Sequence, residues 1–245
     1  EDPSVWVVRT AGQYARVNTE TAEIDTVRQI EGPSGVVQSG SFGLLLSQGD
    51  GRAWTIDPAA PQDIRDAGGA AVDETDGAEA DDAAEDPAAD ESAVATADNA
   101  AEDDAAEDDA TGPSAIRTPG GTRQVIAAGD AVLFFTEAGE THLARIDHRV
   151  GASTLGAPVL LDPFAEENAE VENAEDRKEY RAVAAAIDAS GLGALYSSAE
   201  RSVRGYDTGT GEFRRNASDV PEGAPGEGVQ LAIVGGDWVL LDAAG

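Results

Sequence analysis

The chain has 245 residues with no Cys, no Met and a single Lys, Lys178, against 15 Arg. Without Cys it forms no disulfide, thiolate nucleophile, Cys-ligated zinc site or iron–sulfur cluster, and no run of about 18 apolar residues offers a membrane-spanning helix. Its formal charge is −32, of which 18 acids fall between Asp66 and Asp109, and so acidic a surface repels nucleic acid and anionic lipid.

In chain order, the first apolar stretch is "VWVV" from Val5, followed by "YARVNTETAEI", Tyr14 to Ile24, which alternates and then turns at Asn18. Alternation bounded by turn residues reads as a half-buried strand and its turn. The pair recurs as "FGLLLS" from Phe42 with "WTIDPAAPQDI", in which Asp57 closes the strand. It recurs again as "AVLFF" from Ala131 with "ARIDHRVGAST" and Asp147, and as "LGALYS" from Leu192 with "RGYDTGTGEFR" and Asp207. A fifth apolar stretch, "WVLL" from Trp238, stands near the end; Gly-Asp pairs before it and before "AVLFF" signal tight turns.

Aligned on Asn18, Asp57, Asp147 and Asp207, the copies are 39, 90 and 60 residues apart. The second interval contains the acidic tract 66–113 and the third contains Leu161 to Glu179; without them the spacings become about 42 and 41, in the range of a four-stranded propeller blade. The expected fold is therefore all-β: an incomplete β-propeller of about four four-stranded blades plus the start of a fifth. A β-sandwich with generic turns is the alternative. The expected layout places blades 1 and 2 in residues 1–65 and blades 3, 4 and the start of 5 in residues 114–245, as one structural domain. Open strand edges at both ends and the missing initiator Met read as a piece of a longer product, with further blades expected after Gly245 and also before Glu1; a five-bladed ring closed by the N-terminal strands is the alternative.

The tract 66–113 is nearly all Ala, Asp, Glu and Gly. It cannot bury enough apolar surface to offset ordering its backbone, so disorder is expected, in a loop between two blades. Its "DETDG" lacks the alternate-position ligands of an EF-hand loop. The second insertion, ending "EDRKEY", is expected as a short helix or a mobile loop.

Catalytic chemistry is thinly represented. His142 and His148 are six residues apart on one strand, which separates them by about 20 Å. Ser in "GPSG" and "DASGLG" has no nucleophile elbow, and "GLG" lacks the third Gly of a dinucleotide fingerprint. Asp57, Asp147 and Asp207 repeat at strand ends and read as turn caps, and Trp6, Trp54, Trp238, Phe134, Phe135 and Tyr196 read as core. "NAS" at Asn216 fits only a glycosylation triplet. No catalytic, cofactor-binding or metal-binding residue is nominated, and no cofactor is expected.

Two resemblances follow from these stretches. "YDTGTGEF", Tyr206 to Phe213, resembles the D-x-x-T-G turn of quinoprotein-like propeller repeats, with Arg where that family places the following Trp and no residue matched to a quinone site. The order "VWVVRTAGQYARVNTETAEIDTV", "SGVVQSGSFGLLLSQGDGRAWTIDPA", an acidic insertion and "GDAVLFFTEAGETHLARID" is similar to the N-terminal propeller-like region of large actinobacterial surface proteins that continue into Ig-like or fibronectin type III repeats. That resemblance implies a non-enzymatic, extracellular scaffold or binding module of a cell-surface protein, with a cell-wall, polysaccharide or protein partner. The alternative is a fragment of a propeller enzyme or of a quinone- or calcium-dependent protein.

Overall fold

Every apolar stretch of the repeat becomes a strand in the computed structural model, which describes residues 4–10, 12–64, 114–149, 152–224, 226 and 228–242. The first sheet is β1 (Ser4–Arg9), β2 (Gln13–Asn18) and β3 (Ile24–Gln29). The second is β4 (Gly35–Ser39), β5 (Phe42–Ser47), β6 (Arg52–Ile56) and β7 (Ile116–Arg117). The third holds β8 (Thr122–Ala128), β9 (Ala131–Thr136), β10 (Thr141–Arg149) and β11 (Ala152–Leu155), with β12 (Val159–Leu160) also on β10. The fourth is β13 (Ala184–Ile187), β14 (Leu192–Ser197), β15 (Ser202–Asp207) and β16 (Ser218–Asp219), and the fifth is β17 (Val229–Val234) with β18 (Asp237–Asp242). All named pairings are antiparallel between chain neighbours, apart from β12.

Hairpin chemistry sets this order. Three of the turns between first and second strands are two residues long, Gly40-Ser41, Gly129-Asp130 and Gly235-Gly236. Each begins with a Gly at φ of 54–61°, the left-handed conformation that such turns require and that glycine adopts without a Cβ penalty. The second strands β5, β9 and β14 then end in buried hydroxyls that pin neighbouring loops. Ser47 donates to the carbonyl of Gly32, in the loop before β4 (2.9 Å), while Thr136 accepts from the Glu140 amide (3.1 Å) and Ser197 from the Glu200 amide (3.3 Å), each in the turn that follows.

The sheets stack in chain order through four separate apolar seams. Trp6, Tyr14, Leu45 and Trp54 join the first to the second. Leu44 and Leu46 meet Val132 and Phe134 between second and third. Leu133 and Phe135 meet Leu195 and Tyr206 between third and fourth, and Ala194 and Tyr196 meet Leu231 between fourth and fifth. Alternate residues of one strand therefore enter opposite seams, as Leu44 and Leu45 do. All six residues of β5, β9 and β14 are buried, which is why these strands read as unbroken apolar runs. Burying one such Leu contributes roughly 1.5–3 kcal/mol. The first strands of successive sheets, β4, β8, β13 and β17, pack in turn on one another, the radial order of propeller blades.

The fold is thus all-β, an incomplete propeller, and residues 1–65 with 112–245 group as one unit. Two details depart from expectation. The first blade has three described strands, not four, and the third sheet has five because β11 and β12 share its outer edge, so two four-stranded sheets and this five-stranded one stand between a three-stranded and a two-stranded sheet. Ile116 and Arg117, expected in the third blade, complete the second by pairing with Ala53 and Arg52. The acidic tract therefore interrupts the second sheet between its third and fourth strands, where a gap between blades was expected. The expectation that 66–113 is disordered lies outside the described residues.

Candidate binding groove at the rim

Asn18, Asp57 and Asp207 do cap turns. The Asn18 side-chain oxygen accepts the amides of Glu20 and Thr21 (2.9 and 3.1 Å), Asp57 accepts that of Ala59 (2.8 Å), and Asp207 that of Thr210 (2.8 Å). Asp147 departs from the pattern. It sits inside β10, opposite Thr154, because that strand runs two residues beyond it. His142 and His148 share this strand without converging: His142 Nε2 is 3.5 Å from Glu140 and His148 Nε2 is 3.2 Å from Asp130. Both lie on the expected strand, His148 at the surface and His142 half-buried. Trp6, Trp54, Phe134, Phe135 and Tyr196 are core, and Trp238 packs on the fourth sheet beside Gly205. Among the described residues no group of three or more His, Asp or Glu is arranged to hold a metal.

The surface feature with the clearest chemistry lies at the outer edge of the third sheet. The nine-residue β10 pairs with two short outer strands, β11 along Ile146–Arg149 and β12 along His142–Leu143. Between them Gly156-Ala157-Pro158 leaves the ladder. Pro158 has no N–H to donate, and proline in a strand is confined to edges and bulges. Pairing is held on either side of the break by the Gly156 amide to the Arg145 carbonyl (2.9 Å) and the Leu161 amide to the Thr141 carbonyl (2.8 Å).

This break opens a groove of about 470 Å³. Leu143, Leu161, Phe213 and Ala165 line it together with Thr210 and Asp162, and so do Val159 and Leu160, which are 64% and 49% exposed. Arg145 also lines it. Its guanidinium makes no hydrogen bond or ion pair with any described residue, in a chain with three times as many acids as bases.

One wall of the groove is the second insertion, which is ordered. It holds a one-turn helix, α1 (Ala165–Ala169), and a 3-10 turn at Ala174–Asp176. Asp162 accepts the Phe164 amide (2.8 Å), while Asn168 closes the loop by bonding both the amide and the carbonyl of Lys178 (2.9 Å each). Phe164 is buried between cations, with Lys178 Nζ 5.2 Å and the Arg204 guanidinium 4.9 Å from its ring. The chain's only lysine also pairs with Glu167 (2.6 Å), which holds that carboxyl below its usual range. Tyr180 donates to the Leu195 carbonyl (3.2 Å) and stacks edge-on to Phe164; burial pushes its phenol well above the usual range. A second cavity of about 230 Å³ shares Leu160, Leu161 and Asp162 with the groove and extends to Lys178 and Arg181.

Among the described residues no His or Ser lines the groove, and its Thr210 hydroxyl accepts the Glu212 amide (3.2 Å). What the arrangement supplies is apolar contact, one cation without a partner among the described residues, and the Asp162 carboxylate, already engaged by the Phe164 amide and Asn168. Neither Arg145 nor Val159 and Leu160 were nominated from the sequence. The signal was "APVLLDPF", an apolar triplet directly after a proline and without counterpart in the other copies.

No protein-family model and no curated protein matches the chain. Among solved structures, the N-terminal domain of Nup159 is similar over 94% of this chain and 47% of its own, at 9% identity and a TM-score of 0.44. A chain of the S. cerevisiae assembly of Dbp5 with Nup159, Gle1, IP6 and ADP is similar over 93% of this chain and 46% of its own, at 8% identity and 0.45. The β-propeller domain of Myceliophteria thermophila Cps50 (Swd1) is similar over 96% and 57%, at 12% identity and 0.45. The chain spans about half the length of these structures. The propeller assignment rests on the sheet order and the four seams, independently of these likenesses.

Proposed function

We propose that this chain is a non-enzymatic binding scaffold, a propeller portion of a larger extracellular, cell-surface protein. The single observation that carries the binding role is the rim groove, lined by the exposed Val159 and Leu160 and by Arg145, which has no partner among the described residues. Exposed large apolar side chains grouped at a polar-rimmed concavity mark interaction sites. The extracellular address is supported by the resemblance to actinobacterial surface proteins, and the strongly acidic body suits a partner other than nucleic acid.

Protease treatment of intact source cells, followed by mass spectrometry of the released peptides, tests the address. Release of peptides from residues 114–245 without release of cytosolic markers is expected. Full protection of this region until the cells are broken overturns the surface reading.

A further inference from the structure

We propose that the rim groove docks an extended protein segment that carries branched apolar side chains and one carboxylate, the carboxylate pairing with Arg145. This rests on the scaffold reading above and names its partner by chemistry.

Three observations select this occupant. The first is charge: of the groove's two charged groups, Asp162 is engaged by the Phe164 amide and Asn168, whereas Arg145 has no partner among the described residues, in a chain of 48 acids and 16 bases. A guanidinium left open amid such an excess of carboxylates is complementary to an acidic group from outside, which it can hold in bidentate geometry. The second is shape and polarity. The exposed Val159 and Leu160 and the more buried Leu143, Leu161 and Phe213 line a trough for apolar side chains. The third is the backbone. Because the Leu161 amide bonds to the Thr141 carbonyl, alternation along β12 turns the N–H and C=O of Leu160 away from β10. An outward-facing strand edge accepts another extended segment by main-chain hydrogen bonds, with pockets for alternate side chains giving selectivity. Together they favour a peptide strand over a compact ligand.

The test uses the full 245-residue chain and an array of fluorescent hexapeptides in which Thr alternates with Val, Leu or Ile and the last residue is Glu, Gln or Lys, read by anisotropy. Glu peptides are expected to bind about five-fold more tightly than their Gln counterparts, the range of one partly exposed ion pair. Arg145→Gln abolishes that preference, Arg145→Glu shifts it to the Lys peptides, and Leu160→Thr weakens all peptides alike, each with unchanged circular dichroism. Equal affinity for Glu, Gln and Lys peptides overturns the proposal. So does the absence of saturable binding up to millimolar peptide. Binding of dodecanoate that depends on Arg145, with no peptide binding, assigns the groove to an apolar acid and overturns it too. None of these outcomes alters the cell-surface result, so the two readings fail separately.

Discussion

Tyr206 lays its ring in the space a side chain at position 193 would occupy. The two residues face each other across β14 and β15, and a Cβ on Gly193 would stand 2.0 Å from the ring. The second sheet repeats the arrangement with Gly43 opposite Ile56, where the corresponding approach is 3.0 Å. In the third sheet the sizes are reversed, Val132 facing Ala144. One large and one small residue share each position because a sheet packed on both faces leaves no room for two. Gly193→Ala is accordingly expected to lower stability by about 1–3 kcal/mol, through forced displacement of the ring. Urea denaturation followed by tryptophan fluorescence measures it, and an unchanged midpoint contradicts this packing.

The Tyr206 hydroxyl is buried and has no partner among the described residues, whereas the Tyr14 hydroxyl donates to the Gln62 carbonyl at 2.6 Å. Removing both oxygens in turn separates the two situations. Tyr14→Phe is expected to cost about 1 kcal/mol by orphaning a carbonyl, and Tyr206→Phe to be neutral or mildly stabilising. Equal losses in the two variants refute the distinction.

Burial, only partly offset by Arg28, pushes the Tyr14 phenol up to about 12 from 10.0. Its proton is therefore held by the folded chain and lost by the unfolded chain between those values. Stability is unaffected below pH 10 and declines as pH rises from 10 towards 12. The urea midpoint of the wild type is expected to fall more steeply over this range than that of Tyr14→Phe. Parallel curves count against it.

The turns that close β2 and β15 share three hydrogen bonds, the first being the Thr21 and Thr210 amides to the side-chain oxygens of Asn18 and Asp207. The Asn18 amide donates to the Glu23 carbonyl and the Asp207 amide to the Glu212 carbonyl, both at 2.9 Å. Thr21 and Thr210 hydroxyls accept the amides of Glu23 and Glu212. The fifth position is left-handed in each, Gly211 at φ 77° and Ala22 at φ 56°. Alanine there carries a Cβ penalty that glycine escapes. Ala22→Gly is expected to raise stability by about 0.5–1 kcal/mol and Gly211→Ala to lower it by a similar or larger amount. A thermal melt of each variant decides, and a destabilised Ala22→Gly disproves the equivalence.

Asn168 joins the ends of the second insertion, so Asn168→Ala should loosen that segment without unfolding the sheets. Hydrogen exchange across residues 162–180 is expected to accelerate at least tenfold, with exchange in β9 and β14 unchanged. Loss of protection in β9 as well would make the insertion part of the core.

Much of this architecture was legible in the residues. The 39-residue step between Asn18 and Asp57 and the runs "FGLLLS", "AVLFF" and "LGALYS" mark the strands that are buried on both faces, and those carry the strongest apolar signal. The first strands are harder to see. β13 is "AAAI" and β4 "GVVQS", short and of small or half-exposed residues, because the inner positions of a radial array are crowded. β7 pairs through only two residues that lie far along the chain from β6, so nothing local announces it. Asp147 resembles its counterparts in type but lies within a strand whose end is set by pairing with β11. The groove exists because Pro158 divides an outer edge, a tertiary consequence of one local residue, and Arg145 matters through the lack of a neighbour, which no motif records.

The four seams also set how force and synthesis act on this chain. Among the described residues, each sheet packs on the sheet before and the sheet after it. Such a series behaves as a row of nearest-neighbour couplings. The first and fifth sheets, whose strands β1 and β18 bury only Trp6, have less burial to resist tension than the three sheets between them. In the opposite direction, a chain emerging from a ribosome or a translocation pore can seat each new sheet on a finished one, with no need to wait for its last residue.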